Sequence, residues 1–252
     1  MKPAVAGLIA SALSIACEPE LLVGSLNCTP PEAVPREDKV IPSTWSTSFE
    51  MGFCEYIAAG GRCYASGEAS YDIVETPVRS GRKAAAYSLV AGQNRHTRCY
   101  LEGELPQAAV YGAWFHVPEN ATNRGNWNLF HFRDARPMLE ERGLWDVSIQ
   151  SKSDGSLALL LSDYVSDRTM ATPADGPRIP IGSWFHVELL FQRAADATGA
   201  VTLYQDGQPL IEVTDVVTDD TDFAQWYVGN LATALTPASS IVYVDDVTIS
   251  PP

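Results

Sequence analysis

The chain has 252 residues, 46% of them hydrophobic and 19% charged, with a formal net charge of −14. That is enough apolar material for one substantial core, and the length suits an all-β domain of about 200 residues behind an N-terminal leader. So acidic a chain argues against nucleic acid and anionic membrane surfaces as partners. No apolar run of about 18 residues beyond the N-terminus offers a membrane-spanning helix. The charge is uneven: nine of the 17 Lys and Arg residues lie between Arg79 and Arg142, and none follows Arg193.

Met1-Lys2 and the run AVAGLIASALSIA are the short charged and small apolar segments of a secretory signal, 1–16. Ser14-Ile15-Ala16-Cys17 resembles a bacterial lipobox. That resemblance implies lipidation of Cys17 and an outer-membrane or cell-surface lipoprotein, touching membrane only through its anchor. The alternative is cleavage after Ala16 and a secreted or periplasmic protein. Residues 17–44 carry Pro19, Pro30, Pro31, Pro35 and Pro42 and read as a semi-extended tether. Cys28, Cys54, Cys63 and Cys99 remain, and an even number in an exported chain points to two disulfides. Cys54 and Cys63 flank the Gly60-Gly61 turn and suit a small loop, which leaves Cys28 for Cys99. A zinc site is weaker, because no CxxC pair occurs.

Residues 45–252 read as one domain. A first strand spans 45–51, followed by an irregular Gly- and Cys-containing insertion at 52–70. Strands at 71–78 and 84–90 flank Ser80-Gly81-Arg82. On 98–104, parity places Arg98, Tyr100, Glu102 and Glu104 on one face. Strand 110–117 precedes 127–133, where Phe130 and Phe132 alternate with Leu129, His131 and Arg133. The hairpin 145–151 and 156–162 sets Asp146, Ser148 and Gln150 opposite Trp145, Val147 and Ile149. A long Pro-rich loop, 164–181, leads to 184–192, where Phe185, Val187, Leu189 and Phe191 form an apolar face. Asp206-Gly207 is a tight-turn pair between 200–205 and 209–213. Strands at 223–229 and 241–249 close the chain. About twelve short strands with no convincing helix make an all-β sandwich.

The pattern Gly-x-Trp-x-His-Val at 182–187, continued by Gly-x-Val-x-Leu-Tyr-x-Asp-Gly-x-Pro at 199–209, resembles the laminin-G-like or concanavalin-A-like superfamily. The resemblance covers about 45–250 and implies a two-sheet antiparallel jelly-roll sandwich, a fold that serves carbohydrate-binding modules, lectins and polysaccharide lyases alike. In those families a first-strand Phe-Glu and a last-strand Asp-Asp-Val lie side by side around a structural calcium. The matching residues here are Phe49-Glu50 and Asp245-Asp246-Val247, so Glu50 and Asp246 are the expected Ca²⁺ ligands. Ca²⁺ wants several hard oxygen donors; the alternative is that these acids are solvated strand ends.

The lyase branch carries an Arg-x-Glu-x-Arg strand, a Gln-x-His strand and a catalytic Tyr. By that resemblance Arg98, His131 and Tyr204, or Tyr164 in its place, would be catalytic. β-Elimination on a uronic acid needs a cation or amide to neutralise the carboxylate, a base for the C5 proton and an acid for the leaving oxygen. This chain departs from the pattern in two ways. An apolar residue stands where the Gln would be, and a Tyr-x-Lys-x-Gly-x-Tyr strand is missing. Binding needs less: aromatic rings ringed by the polar set Arg98, Tyr100, Glu102, His131, Arg133, Asp146 and Gln150. Trp127 and Trp145 are expected in the core, and His116 and His186 on the outer face of the other sheet. Glu102 and Glu104, two residues apart, do not make the facing pair of a glycoside hydrolase. The leading expectation is an exported, monomeric protein that binds a polysaccharide or oligosaccharide. The runner-up is a polysaccharide lyase acting on a uronic-acid polymer.

Overall fold

The computed structural model describes residues 28–32, 34–136 and 142–252. The signal reading, and Cys17 with it, lies outside the described residues. In chain order the strands are β1 (Trp45–Thr47), β2 (Arg62–Ser66), β3 (Ala69–Val74), β4 (Ala84–Val90), β5 (His96–Gly103) and β6 (Ala108–His116). Next come β7 (Thr122–Asn123), β8 (Trp127–Asp134), β9 (Arg142–Ser151), β10 (Leu157–Asp163), β11 (Arg168–Ala171) and β12 (Trp184–Gln192). The last are β13 (Gly199–Gln205), β14 (Gln208–Val216), β15 (Ala224–Ala232), β16 (Leu235–Thr236) and β17 (Ser239–Ser250).

Two antiparallel sheets hold most of them. The first runs β14-β13-β12-β6-β17-β4-β3, with β1 also paired to β17; the second runs β11-β10-β9-β8-β15-β5-β2. Non-consecutive neighbours such as β8-β15-β5 are the crossovers of a jelly roll, in which sequence-distant strands share a sheet. The all-β sandwich read from sequence is the observed architecture.

Alternation builds the core. On β12, Phe185, Val187, Leu189 and Phe191 are fully buried while Trp184, His186, Glu188 and Leu190 face outward, as period two requires. Phe132 of the second sheet stacks on Phe191 of the first, with ring centroids 5.2 Å apart. Trp127, Trp145 and Trp226 are all buried, which accounts for half of the six tryptophans as packing rather than binding residues.

Three local readings are corrected. The stretch 52–70 is regular: it holds the helix α1 (Cys54–Ala58) and strand β2. The loop 164–181 contains β11. The disulfides join Cys28 to Cys54 and Cys63 to Cys99. Cys63 and Cys99 are direct cross-strand partners on β2 and β5, so α1 is left to take Cys28. A strand at 62–66 was needed to see this, and the Gly60-Gly61 turn hid it.

The proline-rich segment is fastened to the body. Cys28 bonds the helix, Ile41 is buried in the core, and Lys39 Nζ reaches Glu102 Oε1 at 2.6 Å. Gly103 makes the crossing possible: a Cβ there would lie 2.6 Å from the Lys39 carbonyl oxygen.

Candidate functional site

The outward face of the second sheet gathers the polar residues. β8 is flanked by β15 and β9, and β15 by β5. Register aligns Tyr100, Tyr227, His131 and Asp146 in one row across β5, β15, β8 and β9. A second row carries Glu102, Gln225 and Arg133. Arg98 lies opposite Gly229, one step the other way.

Asp146 is the hub. Its carboxylate, 2% exposed, meets His131 Nδ1 through one oxygen. The other oxygen accepts from Asn128 Nδ2 and, at 2.8 Å, from the Tyr164 hydroxyl. Three side chains converge on this one buried carboxylate, which holds the imidazole with Nδ1 toward the acid.

Tyr227 is the second centre. The Arg98 guanidinium lies 4.2 Å from its ring centroid and that of Arg133 lies 5.8 Å away, so the two cations roof a phenol that is 3% exposed. Burial pushes the Tyr227 phenol well above its ordinary value; Tyr64 adds to the rise, and Arg133 and Arg98 oppose it. The hydroxyl donates to Gln225 Oε1, which also accepts from Arg133 Nε at 2.8 Å. Gln225 Nε2 in turn donates to Glu102 Oε2 at 2.9 Å. Hydrogen bonds from Lys39 and Gln225 outweigh the desolvation of Glu102 and hold its carboxyl below the ordinary carboxylate range. Tyr64 accepts from Arg98 Nε at 3.2 Å, and Tyr100 packs on Tyr227 with centroids 5.0 Å apart.

Arg98, Tyr100, Glu102, His131, Arg133 and Asp146 thus stand on one surface. Gln150 follows Asp146 by four residues on β9, and its amide nitrogen donates to the Leu159 carbonyl at 3.2 Å. Tyr204 does not join them. It lies on β13 of the other sheet, opposite Glu188 of β12, and the hydrophobic core separates it from His131. The phenols beside His131 are Tyr227, with ring centroids 5.5 Å apart, and Tyr164. The alternation Gln225-x-Tyr227 on a recognised strand was the available signal for Tyr227. Asn128 carried none: parity sets it opposite His131, but a β-bulge between Asn128 and Phe130 turns both toward Asp146.

Glu50 and Asp246 converge on the loop at 79–83. Glu50 Oε1 accepts from the amides of Arg82 and Lys83, and Asp246 Oδ1 accepts from the Ser80 hydroxyl at 2.8 Å. Lys83 Nζ donates to the Glu50 carbonyl oxygen at 2.9 Å. The donors are hard oxygens of the kind calcium takes. Among the described residues no group of three or more acidic, His or Cys side chains gathers as a metal cage.

A cavity of about 680 Å³ lies elsewhere: Arg193, Asp196, Asp219 and Asp222 are among its lining. Its central cation, Arg193, is consumed by Asp219 and Glu104, and no aromatic ring lines it. The polar face of the second sheet is the better site on chemistry.

No protein-family model matches the chain, and no curated protein does. Solved structures do. An endo-β-1,4-glucuronan lyase from the fungus Trichoderma reesei superposes with a TM-score of 0.58 at 18% identity, over 76% of this chain and 90% of that one. The alginate lyase Aly36B gives 0.59 at 12% identity, over 83% and 97%. The PL-14 alginate lyase from Aplysia kurodai gives 0.55 at 10%, over 82% and 98%. At such identities the likeness is one of fold: the chain shares the two-sheet antiparallel jelly-roll sandwich of these structures.

Proposed function

We propose that this protein is a polysaccharide lyase that cleaves a uronic-acid polymer on the outward face of the second sheet. The observation that carries the reading is the single row Tyr227, His131 and Asp146 beside Arg98 and Arg133. In a chain of net charge −14, an Arg-rich polar face is the place for an anionic sugar.

The groups divide the work of β-elimination. Arg98 and Arg133 pair with the uronate carboxylate, which makes the C5 proton more acidic and stabilises the enolate-like charge. Doing so draws them off the Tyr227 ring and uncovers the phenol. His131, with Nδ1 held by Asp146, takes the C5 proton at Nε2. Tyr227 stays protonated because its environment disfavours the phenolate, and it gives its proton to the departing glycosidic oxygen. The C5–H and C4–O bonds break, and a C4–C5 double bond forms. Asn128 and Tyr164 hold the Asp146 carboxylate in place behind His131.

Binding without cleavage is the second reading, favoured by one detail: the Tyr227 hydroxyl is tied to Gln225 rather than aimed at His131. An exported, surface-held protein fits either reading, and the two disulfides accord with an oxidising compartment. A calcium between Glu50 and Asp246 is the structural cofactor in this proposal. It would offset the repulsion of two acids at one loop, and it takes no part in the reaction.

The test is ultraviolet absorbance of the unsaturated uronate during incubation with alginate, glucuronan, heparin and pectin. A rise with at least one polymer is expected. No rise, together with retained polymer binding, would leave the binding reading in its place.

A further inference from the structure

Tyr164 follows β10 directly and is 42% exposed, although its hydroxyl is held at 2.8 Å by the buried Asp146. The ring lies flat on Gly143: a Cβ there would sit 2.7 Å from Cδ2, 3.1 Å from Cγ and 3.2 Å from Cε2. One ring face is therefore backed by the main chain of β9, and the hydroxyl fixes its direction. Gly143 pairs with Arg133, so the platform stands beside the cationic part of the surface. Burial and Asp146 push the phenol up from its ordinary value. Its proton is engaged on the carboxylate oxygen that does not meet His131, so the hydroxyl is not placed to serve the reacting atoms. What remains available is an exposed aromatic face.

We propose that Tyr164 is a stacking platform for a pyranose ring in a subsite next to the reacting sugar. The assignment rests on the uronate-polymer reading and deepens it. Strands lie about 4.8 Å apart, so Asp146, two strands from Tyr227, is about 10 Å away, farther than a single pyranose ring reaches. On the opposite side of Tyr227, the rings of Tyr100 and Tyr64 lie 5.0 and 6.3 Å from it. The reacting pair is thus flanked by aromatics on both sides. The substrate is an internal stretch of a chain, held by the C–H faces of its sugars.

The experiment uses the protein with His131→Ala, which binds without turnover, and measures affinity for disaccharides and hexasaccharides from alginate, glucuronan, heparin and pectin. Adding Tyr164→Ala weakens hexasaccharide binding about ten-fold and leaves the disaccharide unchanged. Tyr164→Phe keeps the ring and holds hexasaccharide affinity within about two-fold. Gly143→Ala displaces the ring and reproduces the loss seen with Tyr164→Ala. Equal hexasaccharide affinity with and without the Tyr164 ring overturns the subsite while the uronate reading stands. Failure of the His131→Ala protein to bind either length of any of the four polymers overturns both.

Discussion

His131 and Asp146 lie directly opposite each other on β8 and β9, and the imidazole Nδ1 meets the buried carboxylate. A histidine fixed in this way has one tautomer and one free nitrogen, which is what a general base requires. Asp146→Ala leaves His131, Asn128 and Tyr164 with donors facing an empty position, and is expected to cost about 2–3 kcal/mol of stability. Asp146→Asn keeps the shape, costs less, and lowers kcat by about a hundred-fold with KM little altered. Denaturant unfolding and steady-state kinetics on both variants check this. An unchanged kcat in the Asn variant would remove Asp146 from any positioning role.

His131→Ala is expected to abolish product formation while leaving the melting temperature close to that of the parent, since the ring sits at the surface and not in the core. Tyr227→Phe is expected to lower turnover by about 10²–10⁴-fold with polymer affinity little altered. Steady-state absorbance assays and a binding isotherm separate the two parameters. A Tyr227→Phe enzyme at full rate would transfer the proton-donor role to another group.

Stability should fall steeply at alkaline pH. Tyr56, Tyr87, Tyr111 and Tyr227 are all held above their ordinary value, chiefly by burial. On unfolding they would ionise near pH 10, whereas in the native state they keep their protons. The native state therefore binds more protons above about pH 10, so stability is intact below that value and is lost as pH rises further. Thermal melts from neutral to strongly alkaline pH test this; a flat profile would contradict it.

The two disulfides close 26 and 36 residues of chain. Each should contribute about 3–4 kcal/mol by restricting the unfolded state. Peptide mapping under non-reducing conditions should recover the Cys28–Cys54 and Cys63–Cys99 pairs, and reduction should lower the denaturant midpoint. Recovery of a Cys54–Cys63 peptide would refute the pairing.

If calcium joins Glu50 and Asp246, adding it to chelator-treated protein raises the melting temperature, and Glu50→Gln removes the response. A calcium-independent melt would mean that the amides of Arg82 and Lys83, with the Lys83 ammonium, complete the clasp unaided.

Much of the fold was legible because strands write themselves in period two. Phe185, Val187, Leu189 and Phe191 announced a buried face, and Asp146 with Gln150 announced a polar one. Arg98, Tyr100 and Glu102 fell on their common face by the same rule. The rule fails where the pleat is broken. The bulge after Asn128 turns two residues three apart toward one carboxylate, and no count by twos anticipates it. The Cys63–Cys99 pair needed β2, a short strand of mixed burial that alternation does not pick out.

By itself the sequence determined which residues line each face of a strand wherever the pleat is regular, since alternation is local and the burial of apolar side chains decides its sense. It could not decide which strands become neighbours. That β15 slots between β5 and β8, carrying Tyr227 to His131, while β13 carries Tyr204 to the other sheet, is a matter of crossovers between distant segments. Those pairings are selected by how two whole faces fill one core, a property no single stretch of chain possesses.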